Sequence, residues 1–219
     1  MAQAQTPVER VKRALADHGL DPSLVRELPA DTSTAEAAAR AVAAPLGSIV
    51  KSLVFLADGM PLLVLVSGDQ RADVHRLRAA LGLSKKRLRI AQPAEVLDRT
   101  GFEVGGVPPV GHDQGESRSV SGADWTASEA SPGPSYSAAS VPDPHLSRGT
   151  ESEGKGSGAH ALRAAVSAER TVRTVIDRTL SRFDVVWAAA GSPNAVFPIA
   201  YSQLVAITGG EVMDLVEQA

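Results

Sequence analysis

Two apolar runs, residues 48–56 and 61–67, flank an Asp58-Gly59 pair. Apolar strands separated by a glycine-containing turn of this kind form a β-hairpin, which fixes an antiparallel pair early in the chain. Alternate residues of a strand face opposite sides, so Ile49, Lys51, Leu53 and Phe55 share one face and Val50, Ser52, Val54 and Leu56 the other. Both faces are apolar apart from Lys51 and Ser52, so the hairpin has to be covered on both sides. Lys51 is the anomaly. An ammonium in such a strand either snorkels to water at the strand entrance or sits at the mouth of a pocket, where it grips an anionic or carbonyl-like group.

The elements around the hairpin follow from local signals. Thr6 and Pro7 open a first helix that stops at Gly19, and residues 25–29 suit a short strand. Ser33 and Glu36 form a capping box ahead of an alanine-rich helix over residues 35–44, closed by Pro45 and Gly47. Asp73 caps a helix ended by Gly82, with Val74, Leu77 and Leu81 on one face. A strand at 88–90 and a helix over 93–99, closed by Gly101, come next. Beyond the low-complexity segment, 172–176, 184–190 and 195–199 read as strands, with a short helix at 178–181. A last helix opens at Tyr201 or Ser202 and ends at Gly209-Gly210. Strands and short helices without regular alternation predict an α/β (α+β) fold: a single domain with a curled mixed β-sheet and peripheral helices.

That domain is split in the sequence. Residues 1–112 and 171–219 carry its elements, whereas 113–170 is an insertion, helix-compatible at 161–170. Nearly half of residues 113–160 are Ser, Gly or Pro, and large apolar residues are few, so the expectation is a long disordered segment. Its acids outnumber its bases seven to three. The chain's net charge of −3 is therefore largely the insertion's, and the rest is near +1. That balance leaves a nucleic-acid partner open. The densest basic stretch, Arg71 to Arg89, reads as a solvated helix face or as a phosphate-contacting surface.

Several chemistries are excluded or disfavoured. There is no cysteine, hence no thiolate nucleophile and no cysteine zinc site. The five histidines never fall at helical ligand spacing, so no metal is expected, and no other cofactor is implied. No G-x-S-x-G elbow occurs. The amino terminus lacks an apolar signal-peptide core, and no apolar run reaches membrane-spanning length, so the expectation is a cytoplasmic protein without a membrane partner. Two glycine-proline loops remain as candidates: Gly105-Gly106-Val107-Pro108-Pro109-Val110-Gly111-His112 and Gly191-Ser192-Pro193-Asn194. Each alone reads as a turn, but rigid loops with free backbone N–H groups also suit a carbonyl or a phosphate.

Together, Lys51 in Ile-Val-Lys-Ser-Leu-Val-Phe, the loop Val-Gly-Gly-Val-Pro-Pro-Val-Gly-His, and Trp187-Ala-Ala-Ala-Gly-Ser-Pro-Asn-Ala-Val-Phe197 resemble, in order, the motifs of the YbaK-like family. That family includes the editing domain of bacterial prolyl-tRNA synthetases and its free-standing relatives. The match spans roughly residues 6–112 and 171–215, and the insertion after His112 is the departure. The resemblance implies a free-standing, trans-editing aminoacyl-tRNA deacylase that hydrolyses the ester of tRNAs mischarged with a small amino acid. Its partner would be the acceptor end of a mischarged tRNA and, by extension, an aminoacyl-tRNA synthetase, with no DNA partner. The implied catalytic residue is Lys51. The implied substrate-binding residues are Gly105, Gly106, Val107, Pro108, Pro109, Gly111, His112, Gly191, Ser192, Pro193, Asn194 and Phe197. On this reading no side chain acts as nucleophile; backbone N–H groups near Gly105 and Gly106 hold the carbonyl oxygen, and water or a substrate group attacks. The alternatives are a non-catalytic aminoacyl-tRNA or nucleotide-binding module of the same fold, and an adaptor that works through its insertion.

Overall fold

The computed structural model describes residues 5–29, 34–112 and 172–216. The insertion, the helix-compatible 161–170 and Ser33 fall outside those residues. Helix α1, Pro7–Asp17, begins with a complete capping box: Thr6 Oγ1 accepts from the Glu9 amide at 3.2 Å, and the Glu9 carboxylate accepts from the Thr6 amide at 2.9 Å. Strand β1, Arg26–Glu27, and helix α2, Ala35–Ala41, follow. The cap of α2 is Thr34, whose hydroxyl accepts from the Ala37 amide at 3.1 Å. The helix also ends three residues before the position expected from its alanines. Ala43 adopts a positive φ of 53°, which breaks the helix ahead of Pro45.

The hairpin forms as its sequence requires. Strand β2, Val50–Ala57, pairs antiparallel with β3, Met60–Ser67, placing Lys51 opposite Val66. Asp58 and Gly59 both have positive φ, 53° and 80°, the backbone of a two-residue turn that matches strand twist. Helix α3, Val74–Leu81, strand β4, Leu88–Ile90, and helix α4, Pro93–Thr100, complete the first part of the chain. Strands β5, Arg173–Asp177, β6, Val185–Ala189, and β7, Ala195–Ala200, helix α5, Tyr201–Thr208, and strand β8, Glu211–Met213, complete the second.

The strands form a mixed sheet, β4-β2-β3-β5-β8, beside an antiparallel sheet, β1-β7-β6. β5 lies parallel to both β3 and β8, and a bridge between Ile49 and Trp187 connects the two sheets just before β2 begins. Both faces of the mixed sheet are covered. Val50, Val54, Leu56, Leu63 and Leu65 pack with Val11 and Leu15 of α1, Val96 of α4 and Leu204 of α5. Phe55, Leu62, Val64 and Val66 pack on the other side with Leu77 of α3, Leu215 and Val216. The strand β8 was not legible in sequence. It pairs with β5, and just beyond it the carboxylate of buried Asp177 accepts from the Leu215 amide at 2.8 Å.

Candidate functional site

A cavity of about 260 Å³ opens where β2 leaves the bridge to β6. Its floor is Ile49 to Leu53. Thr34, Ala35 and Ala38 of α2 form one wall, Val104, Gly105 and Val107 a second, and Trp187, Ala189, Pro193, Ala195 and Val196 a third. The three sequence-predicted pieces, Lys51 and the two glycine loops, therefore meet at one place.

Lys51 is half-buried at this rim, and its ammonium donates to the Gln70 carbonyl. Burial lowers its pKa below the usual lysine value. The Glu36 and Asp69 carboxylates oppose the shift, and the Arg71 guanidinium adds to it. The carbonyl that holds Lys51 belongs to a pinned turn. The Gln70 amide donates to Ser67 O at 3.0 Å, and buried Ser67 donates from its hydroxyl to Gly47 O. Arg182 Nη2 donates to Ser67 Oγ at 2.9 Å and to Asp69 Oδ1 at 2.7 Å. Next along β2, Ser52 Oγ is buried and has no hydrogen-bond partner among the described residues.

The two loops are fitted backbone to backbone. A Cβ on Gly106 would lie 2.7–2.9 Å from the Ser192 backbone, and the Gly191 amide donates to Gly106 O at 3.0 Å. Gly191 has a φ of +97°, and a Cβ there would meet Pro7 O at 2.6 Å, so only glycine fits. Ser192 Oγ donates to Asn194 Oδ1 at 2.8 Å, and Asn194 O accepts from the Leu28 amide at 2.6 Å, tying this loop to the end of β1. Phe197 is fully buried in the core. Gly106, Gly191, Ser192, Asn194 and Phe197 thus build the wall from behind, and only Gly105, Val107 and Pro193 of the two loops face the cavity.

Two details correct the sequence-based picture. The Gly106 amide donates to Glu103 O at 3.0 Å and so is engaged within its own turn. The amides of Gly105 and Val107 have no acceptor among the described residues, and both residues line the cavity. Pro108, Pro109, Gly111 and His112 are not among the residues that line it. Gly111 packs on α1 beside Ala14 and Arg10, and His112 Nε2 lies 2.8 Å from Pro108 O. The His112 ring meets Phe102 edge-on, with centroids 6.0 Å apart, and the Arg10 guanidinium lies over the Phe102 ring at 4.3 Å from its centroid. Burial lowers the His112 pKa to about 4, against the opposing effect of the Pro108 carbonyl, and Arg10 lowers it further. Residues that the sequence did not single out complete the site: Thr34 and Ala38, supplied by a separate helix, and Val104. Trp187, which opens the third motif and is one of two indoles in the chain, lines the cavity as well.

A cation at the rim of a small, mostly apolar cavity with free backbone N–H groups defines a site for a compact group carrying a polarised carbonyl or a neighbouring anion. The sequence profile of the aminoacyl-tRNA editing domain family matches residues 29–120. A crystal structure described as that of a candidate trans-editing enzyme for prolyl tRNA synthetase superposes with a TM-score of 0.67 at 32% identity, covering 99% of this chain and 100% of that one. The chain belongs to the aminoacyl-tRNA editing domain family. Among curated relatives, the protein YwhH of Bacillus subtilis is 37% identical over 92 residues, which are 41% of this chain and 57% of that protein. The proline–tRNA ligase of Solidesulfovibrio magneticus is 37% identical over 78 residues, 36% of this chain and 13% of the ligase. The chain therefore spans little more than half of the first relative and a small part of the second. Among the described residues no helix is long and apolar enough to cross a membrane, and no cluster of three or more His, Asp or Glu side chains could hold a metal ion.

Proposed function

We propose that this protein is a trans-editing deacylase that hydrolyses the ester linking a small, wrongly attached amino acid to the terminal adenosine of a tRNA. The observation that carries this reading is Lys51, desolvated and held by the Gln70 carbonyl at the rim of a cavity of about 260 Å³ walled largely by alanine, valine and glycine. An aminoacyl ester is already activated, so its hydrolysis needs orientation and charge stabilisation more than a strong base. Water, oriented by the free ribose hydroxyl of the substrate, adds to the ester carbonyl carbon, and the proton it gives up is the one that the leaving ribose oxygen takes. The carbonyl oxygen gains negative charge, facing the amides of Gly105 and Val107. The bond to the ribose oxygen then breaks, and that oxygen takes a proton. Lys51 supplies the positive charge, to the developing oxyanion or to the phosphate beside the terminal ribose. His112 plays no part in proton transfer here, because it faces Pro108 rather than the cavity. The alanines of α2, β6 and β7 leave space for small side chains and exclude larger ones, the logic of a steric sieve. The setting is the cytoplasm, alongside the synthetase that makes the error.

A deacylation panel tests this directly. tRNAs charged with alanine, cysteine, serine or threonine are incubated with native protein and with Lys51→Ala, whose fold is checked by circular dichroism. Native protein is expected to release at least one of these amino acids, and the variant to lose a hundredfold or more in rate. Normal turnover by the variant removes Lys51 from the mechanism. Intact esters throughout, with binding retained, favour the non-catalytic module instead.

A further inference from the structure

Lys51 also lines a second cavity, of about 380 Å³, which shares Lys51 and Leu53 with the first. The floor there is Leu53, Phe55 and Val66 of the hairpin, and Val74 of α3 and Ile90 of β4 stand at its edges. Val74 is 37% exposed and Ile90 54%, so both offer apolar surface to a ligand in the groove. Arg71 closes one end. It is exposed and makes no hydrogen bond or ion pair among the described residues. The neighbouring arginines are engaged: Arg76 with Asp73 at 3.6 Å, Arg89 with Glu95 at 2.6 Å, Arg87 with Asp58, and Arg182 with Asp69 at 2.7 Å. Arg78 lies 2.8 Å from His75 Nδ1, so among the described arginines of residues 71–89 Arg71 is the one without a partner, and it faces the groove.

An apolar trough with two cations at one end matches a phosphodiester attached to a flat base. Lys51 is shared by the two cavities, so a ligand can cross from one to the other along a single ammonium. We infer that the second cavity holds the nucleotide preceding the aminoacylated adenosine, its phosphate between Arg71 and Lys51 and its base against Val74 and Ile90. This rests on the deacylase reading for the identity of the polynucleotide. The groove itself calls only for an anionic nucleotide. The two cations repel each other when the site is empty, which adds to the depressed proton affinity of Lys51, and an intervening phosphate relieves that repulsion.

The test compares native protein with Arg71→Ala and Ile90→Ser, both exposed enough to leave the fold intact. Two esters are used, full-length charged tRNA and the same amino acid on adenosine alone, which has no preceding nucleotide. For each variant kcat/KM is expected to fall about tenfold more on charged tRNA than on the adenosine ester, mainly through KM. For Arg71→Ala the slope of log affinity against log salt is expected to fall by about 0.7, one phosphate contact on a single strand. Binding of the uncharged trinucleotide cytidine–cytidine–adenosine, followed by fluorescence anisotropy, reads the groove without any turnover. It is expected to weaken about tenfold in both variants. Equal losses on both esters, or unchanged trinucleotide binding, overturn the assignment while leaving the deacylase reading in place. Trinucleotide binding that weakens as expected, in a protein that hydrolyses no ester, keeps the groove and removes the deacylase.

Discussion

Gly106→Ala is the sharpest probe of how the cavity wall is built. Gly106 does not need a positive φ, so an alanine there is strained by contact alone. Its Cβ would lie 2.7 Å from Ser192 Cα and 2.8 Å from the Ser192 carbonyl carbon, whereas carbon atoms settle at about 3.5–4.0 Å. The two loops must then part by about 1 Å, which also stretches the bond from the Gly191 amide to Gly106 O, now 3.0 Å. Overpacking of this kind costs about 1–3 kcal/mol. Loss of the hydrogen bond adds about 0.5–1.5 kcal/mol. Alanine returns about 0.4–1 kcal/mol by stiffening the unfolded chain. The net expectation is a loss of about 0.5–4 kcal/mol, centred on about 2 kcal/mol. In urea unfolding, with an m value of about 2 kcal/mol/M, the midpoint falls by about 0.25–2 M, centred on about 1 M. Because the clash is with backbone, Gly106→Ala combined with Ser192→Gly stays as unstable as the single variant. A midpoint within about 0.2 M of native, or rescue by the Ser192 change, would refute the backbone-to-backbone fit.

Further perturbations separate support of the site from chemistry. Arg182→Ala removes the clamp on Ser67 and Asp69, and so loosens the turn whose Gln70 carbonyl holds Lys51. Deacylation kcat is expected to fall severalfold and its alkaline pH limb to move, with a stability loss of only about 1 kcal/mol because the pair is partly exposed. An unchanged pH profile would make Arg182 a structural residue only. His112 is held neutral in the fold, with its pKa lowered to about 4 from an ordinary 6.5. The unfolded chain therefore binds the extra proton first, and stability is expected to drop as pH falls from about 6.5 to about 4 and to level below that. His112→Asn should flatten this slope in denaturant titrations, and an identical slope would place the titrating group elsewhere.

Local chemistry made most of the fold readable: Thr6-Pro7 and Asp73 open helices, Gly82 and Gly101 close them, and Asp58-Gly59 turns the hairpin. What escaped was non-local. Strand β8 is three residues long, and its place depends on pairing with β5, more than thirty residues away. The cap of α2 was misplaced by one residue because Ser33 and Thr34 offer the same hydroxyl chemistry. In the site, Lys51 was conspicuous because charge is costly in an apolar strand. The glycines were conspicuous too, but sequence does not distinguish a glycine that offers its amide from one that admits a neighbouring backbone. Gly106 is the second kind. His112 follows a loop that reaches the cavity, and its own ring lies elsewhere because Gly111 turns the chain onto α1.

The parallel pairing of β3 with β5 carries a consequence for synthesis. Leu62 to Leu65 wait for partners that begin at Arg173, more than a hundred residues downstream. During translation the hairpin emerges first, with the outer edge of β3 unpaired and with apolar side chains on both of its faces. An open edge of this kind invites pairing with another nascent chain. Slowing the ribosome between residues 113 and 171 is therefore expected to lower the yield of native protein, although the described residues that line the site are all encoded outside that stretch of the message.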